Sequence, residues 1–469
     1  MMKRLMFLIL SLAVLIGMGL ATSAAIAGEG IYGQMRWRWE GFKNYNFNSD
    51  VKDNWGQNLL RSRIGYKTAI GEHGLFKMSV ENTHILGGDW GYYGYDPFNI
   101  YEYDKQQPSG FGEDVYINEA IVGIKDFATE GLDLYGGRMC LAYGNQRIIG
   151  PDDWSMSHEN RFDGFKSHYK FEDGWFDLLC IWLYEAGPYK WTFDQGYGDI
   201  NLRGLYGHYD VNEQFYFEPY VLWLAQNHND YYVGGVETAG LKTDNMFIFG
   251  ALLDYLSDTG LHVYAEGTLE SGTIHDVAPT PDTDWSALGA YGGVFYTVDN
   301  EMEPFLGVEF NYASGTSADD FTNDKVKTFV SPFGSFSNYM GRMNFVGWSN
   351  TASFRFSGGL TPTEGLDFKV DFYLFKLAKD EDAAYFNLTG DMLYNDNFAY
   401  WLGVQDANGK FDKSVGTEID FFLNYNVEEN VDVEAGLGFF SPGDYFGTGP
   451  GVSFDTALFG WMGAQVAFP

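Results

Sequence analysis

Residues 31–42 read IYGQMRWRWEGF, and along them large apolar side chains alternate with polar ones. Met35, Trp37 and Trp39 occupy one set of alternate positions, whereas Arg36 and Arg38 occupy the other. Because successive side chains of a β-strand point to opposite faces, this spacing predicts a strand with one apolar face and one charged face. A water-soluble sandwich and a membrane barrel both produce such strands, so other features of the chain have to distinguish them.

The same alternation recurs along the chain in segments of about ten residues, separated by turns rich in Gly, Asn and Asp. Further examples lie at residues 60–70, 75–83, 367–374, 418–425, 431–437 and 464–468. Acids occupy the polar faces of the later segments: Glu309, Asp367, Asp371, Glu418, Asp420, Asp432 and Glu434. Aromatic residues form 18% of the chain, which suits the aromatic girdles that border a bilayer.

The N-terminus indicates export. Lys3 and Arg4 precede an apolar run, and Ala25-Ile26-Ala27 supplies an A-x-A cleavage site, so we predict a signal peptide at residues 1–27. No later stretch reaches the about 18 apolar residues that a transmembrane helix needs. Since only a closed barrel can carry strands across a bilayer, residues 28–469 are predicted to form a single all-β domain. This domain is a transmembrane antiparallel β-barrel of about 18 strands, roughly 16–20, in the outer membrane of a Gram-negative bacterium.

The alternative of a secreted β-sandwich or solenoid is weaker, because the chain shows no fixed repeat period. For the barrel we predict the following lipid-facing residues: Trp37, Trp39, Phe354, Phe356, Phe372 and Phe421. Longer polar interruptions predict extracellular loops, because periplasmic turns are short. They lie near residues 86–113, 148–160, 186–200, 271–284 and 313–341.

The composition limits the classes of binding partner. The formal net charge of −35 argues against nucleic acid or an anionic membrane surface as a binding partner. Acids cluster in the predicted loops, for example at residues 319–324 and 380–382, where they are either solvated or bridged through divalent cations to lipopolysaccharide. Cys140 and Cys180 fall in separate predicted strands, so no disulfide between them is implied. There is no C-x-x-C-H sequence for a c-type haem, and no cofactor or metal is predicted.

Three groups of short motifs, spread over most of the chain, are more specific than the alternation. They are LYGGR at 134–138, YGNQRIIG at 143–150, DW at 153–154 and RFDG at 161–164, then ASG at 313–315 with Thr328, Phe329, Phe333, Gly341 and Asn350, and finally VGTEID at 415–420 with FSPGD at 440–444. With these motifs the chain resembles the alginate-export family of outer-membrane porins. Met139 stands where the family usually has Gln, and Asn145 where it usually has an acid.

The resemblance implies a monomeric barrel of about 18 strands, whose arginine-lined lumen passes an anionic polysaccharide out of the cell. Arginine suits this task, because its planar fork binds carboxylates bidentately and stays charged. We expect these basic residues to line the lumen: Arg36, Arg38, Arg61, Arg63, Arg138, Arg147, Arg161, Lys166 and Arg355. An equally weighted alternative pairs the arginines with acids in an interior network, namely with Glu40, Glu81, Glu119 and Asp163.

Other functions compete with polysaccharide export. A general solute porin needs no specific lumen, and a barrel could also sheathe a separate multihaem cytochrome. Ser157, His158 and the scattered His84, His168, His208 and His262 offer material for a hydrolase, but no nucleophile elbow or paired-acid motif surrounds them. We therefore predict no enzyme and no catalytic residue. The expected partners are outer-membrane lipid, lipopolysaccharide and either small solutes or an anionic polysaccharide.

Overall fold

The computed structural model describes residues 30–47, 54–86, 115–151, 154, 160–184, 197–228, 232–233, 236–237, 243–274, 282–335, 338–385, 411–446 and 454–468. The predicted signal peptide at residues 1–27 lies outside them. Eighteen strands build one closed antiparallel barrel. They are β1 Gly30–Lys43, β2 Trp55–Ile70, β3 Gly74–Ile85, β4 Tyr116–Ile124, β5 Leu132–Met139, β6 Phe162–Phe171, β7 Gly174–Tyr184, β8 Tyr197–Asn212, β9 Phe215–His228, β10 Thr243–Leu256, β11 Leu261–Ile274, β12 Thr283–Thr297, β13 Phe305–Ala313, β14 Thr351–Thr363, β15 Leu366–Leu377, β16 Ser414–Glu428, β17 Val431–Pro442 and β18 Ala457–Phe468.

Each barrel strand pairs with the next strand along the chain, and β18 closes the barrel on β1. Met35 of β1, for example, faces Ser62 on β2 and Val466 on β18. The start of β1 and the end of β18 share one end of the barrel with the short turns, such as residues 71–73 and 172–173. Short turns mark the periplasmic end, so the longer connections lie at the extracellular end. The prediction of a closed antiparallel β-barrel of about 18 strands is confirmed.

The two faces of the strands are those that the alternation predicts. On β14, Phe354 and Phe356 are 45% and 46% exposed on the outer face, whereas Ser353 and Arg355 are buried on the inner face. The other predicted lipid-facing residues, among them Trp39 and Phe421, also lie on outer faces. Lipid can cover these apolar side chains where water cannot. Within the described residues, no helix has the length and apolarity that crossing a bilayer requires.

The inner wall of β7 to β10 departs from the expected polar interior. Its inward-facing positions are mostly apolar and buried: Leu179, Ile181, Ile200, Leu202, Leu222, Leu224, Met246, Ile248 and Leu252. An apolar wall in contact with water would be unfavourable, so other parts of the chain must cover it. The polar inner face that the alternation predicts for other strands is therefore absent from much of β7 to β10.

Two connections fold into the barrel, and the shorter one covers this wall, where Tyr143 stacks on Tyr206 of β8. We call the two connections the short inner segment (residues 140–151) and the long inner segment (residues 327–335 and 338–350). They join each other through backbone hydrogen bonds, since Gly150 N–H donates to Phe333 O at 2.8 Å and Phe333 N–H donates to Ile148 O at 3.1 Å. Parts of the predicted extracellular loops at 148–160 and 313–341 thus lie inside the barrel.

The remaining elements are short and lie near the extracellular end. Helix α1, Ala318–Thr322, begins after Ser317, whose hydroxyl accepts a hydrogen bond from Asp320 N–H. The two-residue strand Lys325–Val326 pairs in parallel with the start of β12 and leads into the long inner segment. Tyr232–Val233 pairs with Val236–Glu237, and Asp444–Phe446 is a turn of 3-10 helix.

Candidate functional site

Most of the basic residues predicted for the lumen belong to the inner surface. Those on inner strand faces are Arg36, Arg38, Arg61, Arg63, Lys166 and Arg355. Arg147 lies on the short inner segment, and Arg161 immediately precedes β6, where its Nε donates to Asn118 Oδ1 at 2.9 Å. The two-residue period of a β-strand places the six strand residues on the inner face, because they alternate with lipid-facing residues.

Arg138 is placed differently from the prediction. It lies opposite Asp163 in the β5–β6 register, beside the inward-facing pair of Met139 and Phe162. Adjacent residues of a strand point to opposite faces, so Arg138 and Asp163 lie on the outer face. Their bidentate pair has N–O distances of 2.7 and 2.6 Å, and the two side chains are 39% and 48% exposed. Arg138 is therefore removed from the lumen set.

Three arginines converge on a single indole ring inside the barrel, and we call this group the arginine–tryptophan cluster. The guanidinium carbons of Arg342, Arg38 and Arg36 lie 3.8, 4.0 and 5.5 Å from the centre of the Trp154 ring. Arg36 and Arg38 come from β1, Arg342 comes from the long inner segment, and Trp154 follows the short one. The cluster thus joins the barrel wall to both inner connections.

Acids balance the charges of this cluster. Arg38 Nε donates to Glu40 Oε1 at 2.7 Å, and Arg36 Nη2 donates to Glu434 Oε1 at 2.9 Å. Arg38 also donates through Nη1 to the backbone oxygen of Trp154 at 2.7 Å. Burial lowers the pKa of the Arg342 guanidinium, and the nearby Asp420 carboxylate opposes this effect. The sequence singled out neither Arg342 nor the role of Trp154.

The backbone next to Arg342 is fixed to the wall of β16. Arg342 N–H donates to Asp420 Oδ2 at 2.9 Å, and Met343 N–H donates to Glu418 Oε1 at 2.8 Å. Gly341 adopts φ +88°, and a Cβ there would lie 2.5 Å from Glu418 Oε2. The close approach of backbone to carboxylate therefore requires glycine at this position.

A second buried cluster anchors the short inner segment. Arg147 Nη2 and Arg355 Nη2 donate to the two oxygens of Glu309 at 2.7 and 2.9 Å. The Arg147 guanidinium also lies 3.9 Å from the Tyr291 ring centre and 4.2 Å from that of Tyr339. Burial is the largest influence and disfavours its charged form, but Glu309, Tyr291 and Tyr339 together outweigh burial and raise the pKa of Arg147.

Further ion pairs run along the inner wall. Arg63 Nε donates to Glu81 Oε2 at 2.7 Å, Lys77 Nζ lies 2.6 Å from Glu119 Oε2, and Lys166 Nζ lies 3.2 Å from Asp177 Oδ2. The four acids proposed as network partners, Glu40, Glu81, Glu119 and Asp163, all take part in ion pairs, although the partner of Glu119 is a lysine. Three of these pairs, Arg38–Glu40, Arg63–Glu81 and Lys77–Glu119, lie on the inner wall, whereas Arg138–Asp163 lies on the outer face.

Carboxylates hold three of the histidines that were named as material for a hydrolase, in the part of the chain that is described. His168, His208 and His262 each contact a carboxylate, at 2.6, 2.8 and 3.0 Å respectively. Ser157 and His158 lie outside the described residues. Cys140 and Cys180 are not joined by a disulfide. Among the described residues, no group of three or more His, Cys, Asp or Glu side chains is arranged to hold a metal ion.

Solved structures of outer-membrane porins share this barrel. OccK8 (OprE) of Pseudomonas aeruginosa matches with a TM-score of 0.55 and 10% identity over 95% of this chain and 100% of that one. OccK11 (OpdR) of the same organism matches with a TM-score of 0.55 and 9% identity over 95% of this chain and 97% of that one. OccAB4 of Acinetobacter baumannii matches with a TM-score of 0.53 and 12% identity over 94% of this chain and 98% of that one. At these identities the likeness shows a shared fold.

Sequence comparison is more specific about the family. A search among curated proteins found no match. The model of the alginate export family, in contrast, matches residues 31–459, which is nearly the whole chain. Family and fold together point to a transport channel of the outer membrane rather than an enzyme. The chain therefore belongs to the alginate export family of outer-membrane β-barrel channels.

Proposed function

We propose that this channel passes an anionic polysaccharide outward, and that the polymer moves along the side of the lumen formed by β1 to β3 and β15 to β18. The observation that supports this route most strongly is the arginine–tryptophan cluster, in which three guanidinium groups surround Trp154. Guanidinium groups bind the carboxylates of a uronate chain bidentately. The mature chain acts as a monomeric barrel surrounded by lipopolysaccharide after a signal peptide of residues 1–27 has been removed.

The apolar wall supports the same route. The short inner segment packs on β7 to β10, with Tyr143 stacked on Tyr206 and Gly144 close to Leu252, so side chains fill the barrel cross-section on that side. Water and a charged polymer then remain on the opposite side, where the inner faces carry arginines and acids. The same packing argues against a sheath for a separate cytochrome, because the channel's own chain takes up interior space.

The ion pairs supply a reason for transport rather than tight binding. A polymer carboxylate that approaches Arg36 or Arg38 competes with Glu434 or Glu40 for the same guanidinium group. Its net gain is therefore small at each position, and a chain of weak contacts lets the polymer advance. Unpaired arginines would hold a polyanion too firmly to release it.

The test is single-channel recording in planar bilayers with a short mannuronate oligomer as probe. Arg342→Gln and the double variant Arg36→Gln/Arg38→Gln should each shorten the blocked time about tenfold, which corresponds to about 1.4 kcal/mol, the low end of what a hydrogen bond to a charged group contributes. Arg138→Gln is the matched control, because this arginine lies on the outer face. If Arg138→Gln has the same effect as the inner variants, or none has any effect, the proposed route is wrong.

The close pairing of inner charges favours a second candidate, a general solute porin. A lumen in which Arg63 faces Glu81 and Arg355 faces Glu309 has little net charge to select anions. This candidate predicts a reversal potential near zero in a salt gradient and no block by the mannuronate oligomer. An anion preference together with block would favour the export channel.

A further inference from the structure

Four rings form a continuous row on the inner face of β6 to β9, and we call them the ring row. They are His168, Trp175, His208 and Tyr216. The ring centres of His168 and Trp175 lie 5.6 Å apart, and those of His208 and Tyr216 lie 4.8 Å apart. Between them, Trp175 and His208 are parallel within 4° at 5.7 Å. Each ring comes from a different strand, so the row runs across the wall rather than along one strand.

The row lies at the periplasmic mouth. Trp175 follows Gly174, the first residue of β7, and Tyr216 follows Phe215, the first residue of β9. All four residues are partly exposed, for example His168 by 26% and His208 by 18% of the side chain. Because their positions alternate with lipid-facing residues such as Phe176, the exposed parts face the lumen.

Carboxylates and buried tyrosines hold the row in place. Asp177 accepts from Tyr143 OH at 2.6 Å and contacts His168 Nδ1 at 2.6 Å. Glu218 in the same way accepts from Tyr206 OH at 2.6 Å and contacts His208 Nδ1 at 2.8 Å. Two carboxylates therefore fix both imidazoles against the wall, and the rings are ordered before any ligand arrives.

One polar group of the row remains available. Among the described residues, none accepts a hydrogen bond from the indole N–H of Trp175, which is partly exposed. The apolar faces of pyranose rings pack on aromatic rings, and their hydroxyls bond to groups at the ring edges such as an indole N–H or a phenol. A row of fixed rings with polar edges has the chemistry that a sugar chain requires, and it needs no charge on the sugar.

We propose that the ring row is a saccharide-binding site at which a polysaccharide enters the lumen from the periplasm. This deepens the proposed function, on which it rests for the identity of the polymer. The two sites recognise different parts of the chain. The ring row contacts sugar faces and hydroxyls, whereas the arginine–tryptophan cluster contacts carboxylates. A neutral oligosaccharide should therefore bind the ring row and pass the cluster without delay.

The experiment uses the mature protein in planar bilayers, with a short maltodextrin and a short mannuronate oligomer added separately on the side of the short turns. Trp175→Ala should shorten the blocked times of both probes about five- to tenfold, the factor expected for one lost stacking contact. Trp175→Phe keeps a ring and should retain most of the blocked time. Phe176→Ala is the matched control, since this neighbouring aromatic residue lies on the outer face.

The outcomes separate the two proposals. Wild-type blocked times for both probes in Trp175→Ala, or no block of the wild-type channel by maltodextrin from this side, would overturn the ring row. If Trp175→Ala shortens both times while the inner arginine variants leave the mannuronate block unchanged, the ring row stands and the arginine route falls. Heat-modifiable mobility checks that each variant is folded. Should Trp175→Ala not fold, Tyr216→Leu removes another ring at the mouth and gives the same test.

Discussion

Arg147 Nη2 donates a 2.7 Å hydrogen bond to Glu309 Oε1, although 162 positions separate the two residues in the chain. The bond ties the short inner segment to β13, and both side chains are almost completely buried. Arg355 contacts the other oxygen of the same carboxylate. The Glu309 carboxylate on the barrel wall thus pairs with two interior arginines. It also anchors the short inner segment inside the barrel.

Arg147→Met should therefore destabilise the barrel by about 3 kcal/mol, because breaking a buried ion pair leaves a charge without its partner. Glu309 keeps Arg355, which holds the loss at the lower end of the usual range. Denaturant unfolding in lipid measures the free energy. Lys327→Met is the control, since its partly exposed pair with Asp320 should contribute at most about 1 kcal/mol. Equal losses in the two variants would contradict the anchoring role of Arg147.

Phe356→Arg should lower the free energy of folding into lipid by about 2–4 kcal/mol, because it puts a charge on the lipid-facing side of β14. Val211→Arg also lies on the outer face but close to a periplasmic turn, so its cost should be about 0–1 kcal/mol. Folding into vesicles, followed by heat-modifiable mobility, gives both values. Similar losses of folding free energy in the two variants would show that the depths assigned to Phe356 and Val211 in the bilayer are wrong.

The pair of Arg63 and Glu81 predicts opposite shifts of ion selectivity. Arg63→Ala leaves the Glu81 charge in excess and should move the reversal potential in a salt gradient toward cations. Glu81→Gln should move it toward anions, and the double variant should return it close to the wild-type value. Local charges dominate here, because salt screens distant loop acids within about 8–10 Å. If all three variants match the wild type, this pair lies away from the ion path.

Asp382 predicts a dependence of stability on pH at the extracellular end. It accepts hydrogen bonds from Thr316 N–H, Thr328 Oγ1 and Tyr385 OH, and burial raises the pKa of its carboxyl group despite these bonds. The folded state then holds the proton more firmly than the unfolded chain, in which the pKa is about 3.9. The resulting stabilisation is complete below the unfolded pKa and is lost as the pH rises through the folded pKa.

Melting temperatures of the wild type and Asp382→Asn between low and neutral pH test this sign. The difference between wild type and variant should be largest in acid and shrink as the pH rises. Asp319→Asn, an exposed acid of α1, is the control and should follow the wild type. A difference that instead grows toward neutral pH would show that the hydrogen bonds outweigh the burial of Asp382.

The sequence allowed the barrel and most of the inner basic residues to be predicted, because a period of two separates the faces wherever one face is polar. Arg138 shows a signal that was overlooked. It shares its alternate positions with Leu132 and Leu134, so the period itself puts it on the outer face. The prediction for Arg138 followed the family motif around it and did not use its position in the alternation.

The inner segments could be anticipated only in part. Along parts of β7 to β10 both faces are apolar, as in residues 178–183 and 220–224, and an apolar inner face implies a cover. Which residues form the cover depends on contacts between distant positions, such as Phe333 with Ile148 and Arg342 with Trp154. Local periodicity carries no information about such pairs, so Arg342 and Trp154 escaped prediction.

The apolar wall of β7 to β10 has a consequence for anyone who wishes to widen this pore for sensing. Deleting residues around Tyr143 and Gly144 would enlarge the bore, but it would uncover Tyr206 and Leu252 on this wall. A narrow hydrophobic constriction loses its water, and ions cannot cross a dewetted part of the pore. The deletion variant would then carry less current than the native channel, unless the uncovered apolar residues were first replaced by serine or threonine.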